Sequence, residues 1–536
     1  MPQKVRLSTV IEALNERFGA NFGPADQLWF DQLREEAAAD AKLIQAAKAN
    51  IIENFKFVRD KALESLAIDR MEQNEEIFAR FMNDRDFQAF VSNTTPPPPC
   101  SRASGGSGKV TAQAHMKRRE FLSSAAGAVS FPLVAPSDRI VMGSIGVGGM
   151  GSGHLRALLG YPEVRVAAVC DVRATNRQRA KDTVDTRYGD NACAAYSDFR
   201  ELLARKDIDA VLIAAPDHWH ALIGLEAARQ GKHMYYEKPM GVSFAESKAM
   251  REAVRRSGVV FQFGTQQRSS QGYRFTCELV RNGRIGRLHT ILIGSAMSQY
   301  VPNQPAQPVP EGFDYDMWLG PAPWAPYTYE RCTNRFTLIY DYSLGCISGA
   351  WGIHDVDSAQ WINDSDSTGP VEVEGAGVFP KEGLFDTAIA WEVEHKYANG
   401  VKLIHMDLKT ARARAQQFSL GSMASVFLGS EGWVYVSRSG VHTQPESLVR
   451  TIIGPNEVKV IKSNDQRRNF LNAVRTRQKP ISGIEAAHRA ETICQQANIA
   501  MRLKRKLRWD PVKEVFIDDQ QANRMLSRPM RSPWHL

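Results

Sequence analysis

The stretch Arg139-Ile140-Val141-Met142-Gly143-Ser144-Ile145-Gly146-Val147-Gly148-Gly149-Met150-Gly151 decides the fold. Ile140, Val141, Ile145 and Val147 are apolar and β-branched, which predicts a strand over Arg139–Val147. The strand runs into G-x-G-x-x-G, with Gly146, Gly148 and Gly151 in the three positions and Gly149 and Met150 between them. His154, Leu155, Leu158 and Leu159 then follow at helical spacing. A strand, a glycine turn and a helix in that order suit a dinucleotide. The first glycine permits the turn, the second lets the backbone approach a pyrophosphate, and the third allows close helix–strand packing. The helix N-terminus then faces the phosphates.

Working outward, Val164–Cys170 reads as a second strand ending in Asp171, slightly farther from Gly146 than the usual spacing of about 20 residues. A carboxylate there accepts hydrogen bonds from ribose hydroxyls and favours NAD. Arg173 and Arg177 follow closely and could hold a 2′-phosphate instead, so NADP stays open. Ala210–Ala214 is an apolar strand of the buried parallel kind, ended by Pro216 and Asp217. A helix with Ala221, Leu222, Leu225 and Ala228 follows and stops at Gly231. His233–Tyr236, a helix over Ser243–Arg256 and the strand Val259–Phe263 continue the alternation. The pattern is a doubly wound α/β domain over residues 138–265.

Further motifs appear in order: Pro216 to His220, Gly231-Lys232-His233, Glu237-Lys238-Pro239, Asn282-Gly283-Arg284-Ile285-Gly286, Trp318-Leu319-Gly320-Pro321-Ala322-Pro323 and Trp351-Gly352-Ile353-His354-Asp355-Val356-Asp357. With these, the chain from about Arg139 to Trp534 resembles the Gfo/Idh/MocA oxidoreductases, which include glucose–fructose oxidoreductase and inositol dehydrogenase. The resemblance implies a Rossmann domain followed, over residues 266–536, by an α+β domain built on a large open, mainly antiparallel sheet. One face of that sheet turns to the nicotinamide and the other often meets a partner subunit, so a homo-oligomer is expected. Strand-like segments at Leu288–Gly294, Val371–Val378, Ala388–Tyr397, Val401–Leu408, Ala424–Leu428 and Gly432–Val436 agree with it. Helices over Asn464–Arg477 and Ile484–Lys504 carry apolar stripes that could pack back on the first domain.

The resemblance also implies a chemistry: hydride transfer between the nicotinamide and a secondary hydroxyl of a sugar, glycoside or cyclic polyol. Lys238 is the first catalytic candidate, since the family lysine of this tripeptide bonds substrate and cofactor ribose. A partly desolvated lysine beside a cationic ring suits proton relay. His354 is the second, as an imidazole able to take the hydroxyl proton. In the inositol-dehydrogenase pattern an aspartate four residues earlier pairs with this histidine. Here that position is Ala350, so the ring must be oriented otherwise, with Asp355 and Asp357 the candidates. Asp357 could equally bind a sugar hydroxyl or brace a helix over Ser358–Ile362. Pro216, His220 and Glu237 join Asp171 and Arg173 as cofactor contacts, although His220 could instead cap the next helix. Gln267, Arg268 and Trp351 are expected to line the substrate cleft, and Tyr300 and Tyr340 could stack on a sugar. No HExxH or comparable spacing is present, so no metal site is expected.

Two other readings stand beside the dehydrogenase. One is a redox-neutral, NAD-dependent glycosidase that oxidises a ring hydroxyl, eliminates the glycoside and reduces the ring again. The other is a non-catalytic dinucleotide-binding module joined to an assembly domain.

That assembly domain is the reading of residues 1–93, where apolar stripes at helical spacing run without a strand pattern. Ile11 to Gly19, Glu53 to Phe57 and Ile68 to Asn74 resemble the C-terminal helical region of type I restriction enzyme R subunits. Residues 94–137 are a Pro/Gly/Ser linker. Within it, Met116-Lys117-Arg118-Arg119-Glu120-Phe121-Leu122 and the small-residue run after it resemble a twin-arginine export signal. A start at Met116 would imply a periplasmic protein and a gene fusion upstream; a start at Met1 would bury the signal and imply the cytoplasm.

The 536 residues exceed one compact core. The formal charge of +8 is dispersed along the chain, which argues against nucleic acid as a partner. The seven cysteines form no CxxC pair, which argues against a disulfide framework or a cysteine zinc site. The chain has no apolar run long enough to span a membrane as a helix.

Overall fold

A computed structural model of the chain describes residues 139–418, 421 and 424–536. The helical domain, the linker and the signal-like segment expected within residues 1–137 lie outside the described residues.

The first sheet has six parallel strands in the order β3-β2-β1-β4-β5-β6: β1 (Ile140–Ile145), β2 (Val164–Cys170), β3 (Ala194–Tyr196), β4 (Ala210–Ile213), β5 (His233–Tyr236) and β6 (Phe261–Phe263). Strand order reverses between β1 and β4, and there a doubly wound sheet opens a crevice at its carboxyl edge. The connecting helices are α1 (Gly149–Leu158), α2 (Ala174–Tyr188), α3 (Phe199–Ala204), α4 (Asp217–Arg229) and α5 (Phe244–Ser257). Ser243 caps α5 by accepting from the Glu246 N–H, and Gly258 ends it in the left-handed region. β4 and β5 are buried along their whole length, as strands covered on both faces must be.

The second sheet follows α6 (Gln271–Arg281). Its strands are β7 (Leu288–Ser295), β8 (Glu372–Val378), β9 (Ala390–Lys396), β10 (Lys402–Asp407), β11 (Ala424–Gly429), β12 (Trp433–Ser437), β13 (Gly440–Gln444), β14 (Leu507–Asp510) and β15 (Val515–Phe516). The order is β13-β12-β11-β7-β10-β9-β8-β14-β15, antiparallel except for the β7–β10 pair. Sequence pattern had not indicated β3, β13, β14 or β15, which are short or lie at the sheet margins. Between β7 and β8 lie α7 (Tyr315–Leu319) and α8 (Ile353–Ile362). The α8 helix therefore starts at Ile353, not at Ser358, and His354, Asp355 and Asp357 are helical residues. A short helix, α9 (Leu408–Arg414), follows β10.

Two C-terminal helices tie the sheets together. In α10 (Gln466–Thr476), Phe470 and Leu471 join the core of the first sheet, and the Gln466 amide donates to the Phe263 and Thr265 carbonyls at 2.8 and 3.0 Å. The long α11 (Ile484–Leu503) is buried on nearly every side and touches α5, α8 and β8. Ala486, Ala487, Ala490, Ala497 and Ala500 let its neighbours approach closely. The expected return of these helices to the first domain is observed. Among the described residues no helix is long and apolar enough to cross a membrane.

Candidate active site

The glycine loop leaves β1 through Gly146, whose φ is +77° and whose N–H donates to the Cys170 carbonyl at 2.9 Å. A Cβ there would lie 2.5 Å from the Ala214 carbonyl oxygen, and one on Gly151 would lie 1.8 Å from the Gly146 oxygen. These two glycines are demanded by the protein's own packing. Gly148 and Gly149 are different. A Cβ on Gly148 would meet only the Asn176 amide at 3.8 Å, and one on Gly149 nothing within 4 Å. No side chain caps α1, and its first turn has no acidic residue. Free N–H groups opening on empty space fit a pyrophosphate. Met150 beside them is exposed.

Two substitutions separate these roles. Gly148→Val is expected to leave the melting temperature within a few degrees and weaken dinucleotide binding about tenfold or more, because it fills ligand space. Gly151→Ala is expected to destabilise the fold itself by about 1–3 kcal/mol, through overpacking against Gly146. Thermal melts with and without dinucleotide distinguish the two.

Asp171 ends β2. Its carboxylate accepts from the Val147 and Arg173 N–H groups at 3.0 and 2.9 Å, so it also braces the glycine loop. Burial raises its pKa, against the pull of those donors. Arg173 was a cofactor candidate that could hold a 2′-phosphate in the NADP alternative. Instead its guanidinium stacks on Phe313 at 3.8 Å and donates to the Cys332 carbonyl at 3.0 Å. Arg177 donates to the Asp171 carbonyl oxygen at 2.6 Å.

At the carboxyl ends of β4 and β5, Pro216 stands at the N-terminus of α4. His220 does not present a ring nitrogen to a cofactor: Nδ1 lies 2.7 Å from the Pro239 oxygen and Nε2 2.7 Å from the Ala215 oxygen. It ties the two strand ends together. His218 is a core residue, its Nε2 at 2.9 Å from the Trp318 carbonyl, and burial lowers its pKa to about 4. Glu237 likewise turns inward. Its Oε1 accepts from His154 Nε2 at 2.8 Å and from the Gln266 amide at 3.2 Å, while Arg467 donates to His154 Nδ1 at 3.1 Å. Lys238 reaches across to the second domain, and its Nζ donates to the Gly349 carbonyl at 2.7 Å.

The segment that receives Lys238 leads into α8. His354 is 5% exposed and its Nδ1 has no hydrogen-bond partner. Burial, then the charges of Lys238 and Arg438, hold its pKa well below the ordinary value, so the ring is neutral. With Ala350 in place of an aspartate, neither remaining carboxylate orients it. Asp355 is fully buried, and burial pushes its pKa well above the ordinary range, against the pull of the Ser295 hydroxyl. Asp357 was expected on a sugar hydroxyl or as a helix brace. It faces Arg268 instead, accepting from Nε at 2.7 Å and from the second terminal nitrogen at 2.8 Å.

Arg268 also donates to both oxygens of Asp366, at 2.7 and 2.8 Å, and is 1% exposed. Burial alone would lower its pKa, but Asp357 and Asp366 outweigh it and hold the guanidinium charged. The expectation that Arg268 lines the cleft is therefore corrected: its donors are spent within the protein. Gln267 keeps its place as a candidate, because both amide atoms are buried without a partner, as is Trp351 Nε1. Tyr340 lies between the guanidinium groups of Arg502 and Arg528, each 3.7 Å from its ring centroid, so its faces are taken. Tyr300 is about half exposed.

Sequence pattern missed the Gly349 carbonyl, Arg438 and the buried acids Asp217 and Glu491. A backbone acceptor has no residue signature, Arg438 and Glu491 belong to no motif, and Asp217 lies within the Pro216 to His220 motif, where it reads as the end of a strand. Among the described residues no group of three His, Cys, Asp or Glu could hold a metal ion.

A Rossmann sheet with a glycine loop open to a ligand, joined to a sheet domain that meets the lysine just past β5, defines a dinucleotide-binding architecture. Residues 140–265 match the NAD-binding Rossmann fold of the Gfo/Idh/MocA oxidoreductase family and residues 299–536 its C-terminal alpha/beta domain. The chain belongs to that family, and its cofactor is a nicotinamide dinucleotide. It is 30% identical over 257 residues to the uncharacterized oxidoreductase YrbE of Bacillus subtilis, covering 47% of this chain and 63% of that one. It is 33% identical over 147 residues to inositol 2-dehydrogenase of Salmonella typhimurium, covering 27% and 42%. The chain thus spans less than two thirds of either relative. The aldose-aldose oxidoreductase of Caulobacter crescentus shares the fold with a TM-score of 0.51 at 17% identity, covering 69% of this chain and 99% of that one.

Proposed function

We propose that this protein is an NAD-dependent dehydrogenase acting on a secondary hydroxyl of a sugar, glycoside or cyclic polyol. The observation that carries the reading is the meeting of Lys238 with Gly349, just before Trp351 and His354. It joins the cofactor domain to a segment followed by two buried polar atoms without partners, Trp351 Nε1 and His354 Nδ1, and the Gln267 amide is buried and unpartnered as well. Buried polar groups are rarely left unpaired without reason, and a polyhydroxylated ligand offers both donors and acceptors. The inositol dehydrogenase among the relatives supports the same substrate class.

The nicotinamide supplies a hydride acceptor when bound. The chain's own residues then have separable tasks. Lys238 Nζ uses one N–H on Gly349 and keeps two for the reacting oxygen and the ribose. Neutral His354 has a bare ring nitrogen for the hydroxyl proton. Cationic Lys238 and Arg438 disfavour a lasting imidazolium, so the proton moves on to solvent. Asp171 supports NAD over NADP, because a 2′-phosphate would meet its carboxylate while Arg173 is turned to Phe313. Homo-oligomerisation belongs to the same proposal. It is supported by an open groove on the second sheet where Leu292, Ile404, Phe418 and Leu428 lie beside the charged Glu394, Lys402 and Arg414.

The test is to denature purified protein, identify released nucleotide by mass spectrometry, and screen sugars and polyols for a change in nicotinamide absorbance. Bound or titratable NAD with turnover on a polyol supports the reading. Glycoside cleavage without net absorbance change would replace it with the redox-neutral glycosidase. Absence of any dinucleotide binding would overturn it.

A further inference from the structure

The segment Ser343–Gly349, which presents its last carbonyl to Lys238, is held from beneath by two buried acids that the proposed chemistry does not use. Asp217, the first residue of α4, is 4% exposed and accepts from the Ser343 hydroxyl at 2.6 Å. A Cβ on Gly349 would lie 2.0 Å from Asp217 Oδ2 and 2.2 Å from Ser343 Oγ, so this acid sits directly against the Gly349 backbone. Glu491 of α11 is fully buried. It accepts from the Gln495 amide at 3.0 Å, from the Met240 N–H at 3.3 Å and from the Ser348 hydroxyl at 3.3 and 3.4 Å. One acid therefore grips each end of the segment, and Glu491 also grips the chain two residues past Lys238.

We propose that Asp217 and Glu491 are positioning residues that form a pH-sensitive latch on Ser343–Gly349, setting the place of the carbonyl on which Lys238 rests. The physical reason is donor counting. An ionised Glu491 accepts from all three donors; a protonated one turns one oxygen into a donor and gives up part of its grip. The titratable groups facing the pair are Lys238 and His220 beside Asp217, and Tyr236 and Cys494 beside Glu491. Burial, with Asp217 adding its own charge, raises the Glu491 pKa to about 7, and burial raises that of Asp217. The latch is thus ionised and tight above neutrality and loosens as pH falls through about 7.

The inference rests on the dehydrogenase reading only for its kinetic consequence, so the first readout does not need a substrate. Hydrogen exchange of peptides covering 340–352 is measured in the full chain at about pH 6 and about pH 8 and corrected for intrinsic rates. Wild type is expected to be roughly threefold or more better protected at the higher pH. Glu491→Gln, which cannot ionise, is expected to show the low-pH level at both. Asp217→Asn, which removes a repelling charge, is expected to move the wild-type transition to lower pH. Wild-type protection that ignores pH, or a Glu491→Gln profile that tracks wild type, overturns the latch. Should Glu491→Gln not fold, the wild-type and Asp217→Asn series decide alone. With a turned-over polyol, the latch predicts that kcat follows the same transition while KM for dinucleotide stays constant. A loss of dinucleotide binding in wild type would sink the dehydrogenase reading and leave the exchange result standing.

Discussion

Lys238→Met lowers turnover by about 10²–10⁴-fold while dinucleotide still binds. Methionine keeps most of the stem and its packing but removes every N–H donor. The Gly349 carbonyl loses the donor at 2.7 Å, and the reacting oxygen loses the group expected to hold it. The effect should fall on kcat more than on dinucleotide affinity, because Gly148, Gly149 and the N-terminus of α1 are untouched. Lys238→Arg should not restore activity. A guanidinium is a planar fork rather than a compact ammonium, and it cannot place its donors on Gly349 and a substrate oxygen in the same way. Steady-state kinetics with NADH-fluorescence titration checks both statements. Turnover within tenfold of wild type for Lys238→Met would remove this lysine from the chemistry.

Arg268→Ala costs about 3–5 kcal/mol of stability, the usual result of deleting one partner of a buried ion cluster. Asp357 is wholly buried, so it would be left as an uncompensated charge. Asp366 suffers less, since its side chain is 35% exposed. The loss depends on pH in a definite direction. Without Arg268 the buried Asp357 has a pKa above its unfolded value, so stability is present at low pH and is lost as pH rises through that pKa. Urea denaturation should therefore show a larger deficit near pH 8 than near pH 5. A deficit below about 1 kcal/mol at both would mean that the cluster merely breaks even. The same variant should lose activity, because Arg268 anchors the turn carrying Gln267 to the helix carrying His354.

Local signals account for what could be read in advance. The glycine loop, Asp171, the Glu237-Lys238-Pro239 tripeptide and most strands of both sheets are contiguous segments whose spacing or alternation reports backbone geometry directly. The residues misassigned to ligand contact share a different property. Arg268, Glu237 and Arg173 each look like a ligand contact when read alone, and each is paired with a group far away in the chain: Asp357, His154 and the Cys332 carbonyl. Charged and polar side chains are needed for substrates and for burial alike, and a sequence motif does not say which partner will be present.

By itself, then, the sequence determined the doubly wound sheet and the dinucleotide loop, because each rests on the order of neighbouring residues; Lys238 and His354 became chemical candidates through the resemblance of their motifs to those of the family. Only the tertiary structure decided which charges are spent on each other. It paired Arg268 with Asp357 and Asp366, turned Glu237 onto His154, left His354 without a carboxylate, and set Asp217 and Glu491 beneath the carbonyl that holds Lys238. The reason is that desolvation and pairing depend on distance in space, and folding brings together groups that no spacing along the chain announces.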